Sequence, residues 1–291
     1  MLAREAGAPF DDPGFLFEIK WDGYRALVER TESGRVHLWS RSGRDLGRDL
    51  PALAASLTEV LATPCLLDGE IVALHEGRSD FPRLLRRVEP IVYVVFDLLR
   101  WRSEDLVGLP LRERRARLVD RIVPSDRLLI SEGVVGVGTG YFASVCALGL
   151  EGMVAKELRS PYRPGIRSAA WRKVLNLKEG TFSVVAAEAS DGDHLAAVYV
   201  ADGEGRTVAR VAGLPPAAAH AVRARAGSAL AHKTKAGEQL LAVAPGLRCR
   251  VRYRSVLPDG KLRHPVYAGL FDEAPGPSPP EGPDTDKVAP A

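Results

Sequence analysis

The sequence predicts an α+β domain over residues 1–178, a small β-barrel over 179–273 and a disordered tail over 274–291. Three observations carry this. Strand-like and helix-like runs alternate up to Lys178. From Glu179 on, short strands recur at regular spacing between Gly/Asp turns, interrupted by one alanine-rich helix, a pattern that suits a small barrel. The end, "APGPSPPEGPDTDKVAPA", is proline-rich and lacks aromatics, so it offers nothing to bury.

The elements follow in order. "FLFEIK", "RALVER" and "RVHLWS" read as strands parted by polar turns. "LPALAASLTEVL" has helical apolar spacing, and "CLLDGEIVAL" returns to strand. "YVVFDLL" is a nearly continuous apolar run of β-formers, as an interior strand requires. "LRERRARLVDRIV" reads as an amphipathic helix with Leu111, Leu118 and Ile122 on its apolar face and arginines over the rest. "EGMVAKE" and "AWRKVLNLK" are two further strands joined by a turn-rich segment. In the second domain, "FSVVAAEA", "LAAVYVAD" and "TVARVAG" are strands and "PPAAAHAVRARAGSALA" is the helix. "RCRVRYRSVL" and a "PDGKLRHP" hairpin close the barrel. In "RCRVRYRS", Arg248, Arg250, Arg252 and Arg254 alternate, which puts all four on one strand face.

Composition bounds the class. Hydrophobic residues make up 46%, charged residues 26%, and the net charge is +3 over 291 residues, an ordinary globular balance. The segment "MLAREAGAPFDD" has no signal-peptide core, and no run of eighteen apolar residues occurs. The expectation is a soluble, cytoplasmic protein. Cys65, Cys146 and Cys249 lie far apart in apolar surroundings, which argues for buried free thiols rather than a disulfide framework or a metal site.

Chemistry concentrates in a few short stretches. "EIKWDGYR" places Lys20 at the end of an apolar strand beside Asp22, Gly23 and Arg25. A lysine attacks only as the neutral amine, which burial and neighbouring cations favour. A phosphorus electrophile needs charge neutralisation by lysine, arginine or a divalent cation. "LDGEIVAL" puts Asp68 and Glu70 on one strand face, "LEGMVAKE" offers Glu151 and Lys156, and "WRKVLNLK" offers Lys173 and Lys178. Each is common alone: D-G-E as a turn entering a strand, E-G as a loop, W-x-K as a surface strand with a snorkelling lysine.

Their order is what discriminates. K-x-D-G-x-R, S-R-x-G at Ser40 to Gly43, D-G-E, Y-V-V-F-D, E-G-M-V-x-K, Y-x-P-G-x-R and W-x-K follow one another along the chain. This series resembles the nucleotidyltransferase motifs of ATP-dependent DNA ligases. It is most similar to the ligase module of bacterial end-joining enzymes and related small bacterial ligases. The likeness runs from residue 1 to about 273 and includes "DGKLRHPVYAGL".

The resemblance implies an ATP-grasp-like ligase adenylation (nucleotidyltransferase) domain followed by an OB-fold. It implies that Lys20 attacks the α-phosphate of ATP and carries AMP. Glu18, Ile19, Arg25, Arg41, Glu70, Phe96 and Lys173 would bind the nucleotide, with Phe96 stacked on adenine and Lys173 on the AMP phosphate. Arg25 and Arg41 would hold the ribose or the phosphate of the nicked strand. Glu70 and Glu151 would hold Mg²⁺ or Mn²⁺. Asp22, Gly23, Asp68, Lys156 and Arg167 complete the motifs. The implied partner is nicked duplex DNA, with Arg248, Arg250, Arg252 and Arg254 of the second domain as candidate DNA-binding residues, sealed by a monomer at the nucleoid with end-joining or repair proteins.

Two stretches depart from the family pattern. A second lysine after Lys173 is replaced by Leu175, and Lys178 comes three residues too late. The stretch "GLFDEAP" has Phe271 and Ala274 where basic residues are expected, leaving Lys261 and Arg263 as nearby cations. The core motifs are also those of RNA ligases and capping nucleotidyltransferases. The two departures additionally leave open a nucleic-acid-binding homologue with weakened catalysis.

Overall fold

The computed structural model describes residues 1–189, 195–233 and 239–272. The tail predicted for 274–291 lies outside them, as does Ala274. The chain divides into two compact units, Met1–Asn176 and a second from Leu177 onward.

The first unit holds two sheets. In chain order its elements are β1 (Leu2–Glu5), β2 (Asp12–Ile19), β3 (Tyr24–Arg30), β4 (Val36–Ser40), α1 (Pro51–Val60), β5 (Cys65–His75), β6 (Arg78–Ser79), α2 (Phe81–Leu85) and β7 (Ile91–Trp101). Then come β8 (Glu104–Asp105), α3 (Leu111–Arg121), β9 (Leu128–Ile130), β10 (Gly133–Gly136), α4 (Gly138–Ala147), β11 (Gly152–Glu157) and β12 (Arg167–Leu175). One sheet runs β1-β12-β11-β2-β10, and the other β4-β3-β5-β7-β8, with β6 on β5 and β9 on β7. The apolar run read as an interior strand is β7, between β5 and its partners β8 and β9.

Alternation along β2 and β11 sets up the site. Phe15, Phe17, Met153, Ala155 and Val174 form one apolar cluster, closed by Tyr141 and Phe142 of α4. Glu18, Val154 and Lys156 fall on the opposite face, because successive side chains of a strand point to opposite sides. The second sheet buries its own core of Val28, Leu38, Leu67 and Tyr93 under Leu53 and Leu57 of α1 and Leu118 of α3. A third cluster, with Leu99, Tyr162 and Trp171 buried and Leu27, Leu66 and Phe96 against them, draws residues from both sheets.

The α3 expectation needs one correction. Leu111, Leu118 and Ile122 are buried as predicted, but so is Arg114, fully. Its guanidinium donates to both carboxylate oxygens of the equally buried Asp97 at 2.8 Å. A buried ion pair with complete hydrogen bonding can replace an apolar contact, and periodicity alone does not reveal it.

The second unit comprises β13 (Lys178–Ala189), β14 (Leu195–Ala201), β15 (Thr207–Ala212), α5 (Pro216–Ala224), β16 (Ala226–Lys233), β17 (Gln239–Val243), β18 (Leu247–Tyr253), β19 (Ser255–Val256), β20 (Leu262–Arg263) and β21 (Val266–Asp272). The long β13 is the hub: Lys178–Ser183 pairs with β18, while its later residues pair with β14 and β17. The resulting curled sheet encloses Val184, Val198, Val211, Val222, Cys249 and Val251.

Three expectations change here. The alanine-rich helix ends at Ala224, and the residues from Ala226 form β16. Lys178 does not continue the W-R-K strand: β12 stops at Leu175, and Lys178 opens β13. Of the three thiols, Cys65 and Cys249 are buried but Cys146 is only half-buried. All three are free, and burial raises their pKa values, Cys65 and Cys249 to about 11.

Candidate active site

Lys20 sits one residue past the end of β2, in the connection that carries the chain from the first sheet to β3 of the second. Its backbone N–H donates to Gly152 O at 2.9 Å. Gly23 is required by close packing: a Cβ there would lie 2.0 Å from Ile71 O. Gly152 is equally constrained, with Val174 O at 2.2 Å from an added Cβ and φ at +152°. K-x-D-G and E-G are therefore places where two backbones nearly touch, and they bring Lys20 against Glu151.

The Lys20 ammonium forms an ion pair with Glu151, whose side chain is 3% exposed. The sequence sets Asp22 and Arg25 beside this lysine; its direct partner in the fold is the carboxylate of Glu151. A cavity of about 300 Å³ opens beside it, lined from one sheet by Glu18, Ile19, Lys156, Trp171 and Lys173 and from the other by Arg25, Glu70 and Phe96. Arg41 and Arg167 also reach it, and Arg167 donates to Ala3 O at 2.6 Å.

Electrostatics differ around this cavity. Burial pushes the Glu70 carboxyl up to about 8, against the opposing pull of Lys20 and Arg25. Arg25 is clamped on Asp68 through two bonds, at 3.0 and 2.6 Å, and Tyr162 donates to the same carboxylate at 2.8 Å. Burial alone would lower the Arg25 pKa, but Asp68 holds it above the ordinary value. Asp68 thus lies behind Arg25 as its anchor and does not line the cavity. Lys156 is buried and paired with the buried Glu18, with its ammonium 4.0 Å from the Phe96 ring centroid and 4.5 Å from that of Trp171. Burial lowers its pKa, and Glu18 opposes the shift. Lys173 lies 3.4 Å from Glu5. Asp22 stands outside the cavity lining, its N–H on Ser79 Oγ at 3.3 Å.

Sequence reasoning passed over three residues. Trp171 is 2% exposed, lines the cavity, and has a buried indole N–H without a hydrogen-bond partner. Its signal was its place two residues before Lys173 on one strand, hence on the same face. Arg115 donates to Ser131 O at 2.6 Å and stands 3.4 Å from Glu18 Oε1. Tyr162 belongs to the quoted Y-x-P-G-x-R, yet only the fold brings it to Asp68.

In the second unit, Arg248, Arg250 and Arg252 share the outward face of β18, but β18 ends at Tyr253, so alternation no longer places Arg254 with them. Glu179 of β13 takes part of this charge, 3.5 Å from Arg250 and 3.1 Å from Arg252. Phe271 is exposed, and its neighbour Asp272 pairs with Arg225 at 2.8 Å. Among the described residues, no three or more His, Cys, Asp or Glu groups converge as a metal cage, and no helix is long and apolar enough to cross a membrane.

Residues 1–174 match the family described as ATP dependent DNA ligase domain. The chain belongs to the ATP-dependent DNA ligase family. A multifunctional non-homologous end joining protein LigD from Pseudomonas aeruginosa is 35% identical over 286 residues, covering 90% of this chain but 34% of that protein. The chain thus spans about a third of the length of that relative. The SPbeta prophage-derived DNA ligase-like protein LigB of Bacillus subtilis is 28% identical, over 92% of this chain and 96% of its own length. The crystal structure of the ligase domain of M. tuberculosis LigD superposes with a TM-score of 0.58 at 29% identity, covering 93% of this chain and 94% of that one. The fold is accordingly that of the ligase family, an adenylation-type nucleotidyltransferase domain followed by an OB-fold.

Proposed function

We propose that this chain seals nicks bearing a 5′-phosphate and a 3′-hydroxyl in duplex DNA, using ATP as AMP donor and Lys20 as the AMP carrier. The observation that carries this is Lys20 paired with Glu151 at the mouth of a cavity that presents an aromatic ring, two carboxylates and several cations. Nζ of Lys20 attacks the α-phosphorus of ATP; a P–N bond forms, the bond to the β-phosphate oxygen breaks, and pyrophosphate leaves. A 5′-phosphate oxygen of DNA then displaces the lysine to give DNA-adenylate. The 3′-hydroxyl attacks that phosphate, joins the strand and releases AMP.

The chain's own residues have distinct parts in this. Glu151 holds the Lys20 amine and is placed to take its proton. Phe96 offers a face to the adenine, and Glu18 an acceptor beside it. Arg25, fixed by Asp68, and Lys173 neutralise phosphate charge. Glu70 and Glu151 suit a hard divalent cation, since Mg²⁺ is commonly held by one or two carboxylates together with substrate phosphates rather than by an all-protein cage. Bound there, it would offset the charge that builds on the transferring phosphate. The relatives' names support action in end joining or repair; we propose that the chain works as a monomer on DNA in the cytoplasm.

The test is to mix the purified chain with ATP, Mg²⁺ and a nicked duplex labelled at its 5′-phosphate. Joining of a DNA nick in preference to an RNA nick is expected. Joining of RNA alone would move the chain to the RNA-directed branch, and binding without joining would make it a non-catalytic homologue.

A further inference from the structure

The arginines of α3 have different destinations. Arg112 is exposed, and Arg117 and Arg121 pair with the exposed Glu104. Arg114 docks the helix through Asp97, Leu109 O and Ser160 O. Arg115 instead ends behind the lining of the nucleotide cavity, its side chain 13% exposed. There its guanidinium donates to Ser131 O at 2.6 Å and to Phe96 O at 3.4 Å, and stands 3.4 Å from Glu18 Oε1. We propose that Arg115 is a positioning residue for adenine: it holds Glu18 with Oε1 open as the acceptor for the 6-amino group, and so sets a preference for adenine nucleotides over purines without that group. The inference rests on the ligase reading above.

Glu18 supplies an independent observation. Its carboxylate is buried and lines the cavity. Lys156 pairs with Oε2, and that ammonium is itself packed against the Phe96 and Trp171 rings. Oε1 is buried and has no hydrogen-bond partner. A buried carboxylate oxygen without a donor is costly, so it calls for a ligand that supplies one. Adenine presents an amine at its 6-position, where guanine presents a carbonyl. Arg115 lies close enough to hold the carboxylate by charge, while its hydrogen bonds go to the two carbonyls. A planar fork can span two carbonyls at once; a lysine ammonium offers only a point charge. The same fork steadies the flanks of the base site. Phe96 carries the ring offered to adenine, and Ser131 Oγ accepts from the Trp21 indole at 3.4 Å, one residue past Lys20. Since Arg114 already docks α3, anchoring of the helix does not account for Arg115.

The test compares ATP with purine riboside triphosphate, which lacks the 6-amino group. Self-adenylylation is followed against the concentration of each, with a melting temperature for every protein. The proteins are the unaltered chain, Arg115→Gln, Arg115→Lys, Glu18→Gln and Arg115→Gln/Glu18→Gln. The unaltered chain should prefer ATP. Arg115→Gln should raise KM for ATP about tenfold, the scale of one weakened hydrogen bond to a charged acceptor. KM for the analogue and the rate at saturating ATP should change little. Arg115→Lys should fall between the two, and it carries the comparison if Arg115→Gln unfolds. In the Glu18→Gln background, Arg115→Gln should cost no further preference for ATP, because the two act through one contact. An equal rise in KM for both triphosphates would make Arg115 a strut of the fold and overturn the proposal. So would an unchanged KM for both, or preference lost additively in the double variant. Failure of the ligase reading looks different: the unaltered chain would take no AMP from ATP. The comparison then passes to the dissociation constants of AMP and purine riboside monophosphate, where the same loss of preference is expected and an equal loss for both overturns the proposal.

Discussion

Lys20, Glu70 and Glu151 stand out in the sequence because each sits in a short motif with a glycine, and the structure gives the glycines a reason in close backbone approach. What the sequence could not reveal is how the charges pair. The Glu18–Lys156 pair is buried across β2 and β11, and Asp68 is spent on Arg25 and Tyr162. Tyr162 stands 94 residues from Asp68, too far along the chain for any local pattern to couple them. Glu70 supplies a prediction at this scale. Its carboxyl rises from an ordinary 4.5 to about 8 on folding, so the folded state keeps a proton that the unfolded chain releases. Stability should therefore fall as pH rises from about 5 to about 8, and level off above that. In a metal-free buffer with chelator, melting temperatures of the unaltered chain and Glu70→Gln should diverge across this window. The variant's curve should be the flatter one; parallel curves would mean that Glu70 is not held protonated.

α1 was legible from its helical apolar spacing, since burial of one face imposes that pattern, and β5 and β7 from apolar runs that burial on both faces imposes. α5 and β16 were not separated, because alanine is the strongest helix former and "ARAGSALA" offers it on both sides of the break. Gly227 was the available stop signal. Pairing of Ala226 with Val243 and of Ala229 with Leu241 outweighs the local preference. In α3, the buried Arg114 is tied to Asp97 of β7 and to Leu109 O and Ser160 O. Removing one partner of a buried pair leaves the other charge stranded, at a cost of about 3–5 kcal/mol. Arg114→Ala should lose that much in urea unfolding, and Arg114→Met/Asp97→Leu much less. Equal losses in the two proteins would show that the ion pair itself, rather than the stranded charge, matters.

The division of the chain into two units was visible as a change of rhythm near Glu179, because barrel strands are short and evenly spaced. The exact break, at Asn176–Leu177, was hidden inside a run that reads as one strand. Each unit has its own apolar core, and the residues that line the cavity beside Lys20 all belong to the first. A chain ending at Asn176 should therefore lose more in binding nicked DNA than in rate of self-adenylylation; the reverse order would give the OB-fold unit the larger part in the first step. The central claim concerns the first covalent event, at Lys20. Purified protein incubated with α-phosphate-labelled ATP and Mg²⁺ should acquire acid-labile label on the peptide containing Lys20, and Lys20→Ala should acquire none. Label persisting on Lys20→Ala, or appearing on any other lysine of the unaltered chain, would contradict the account.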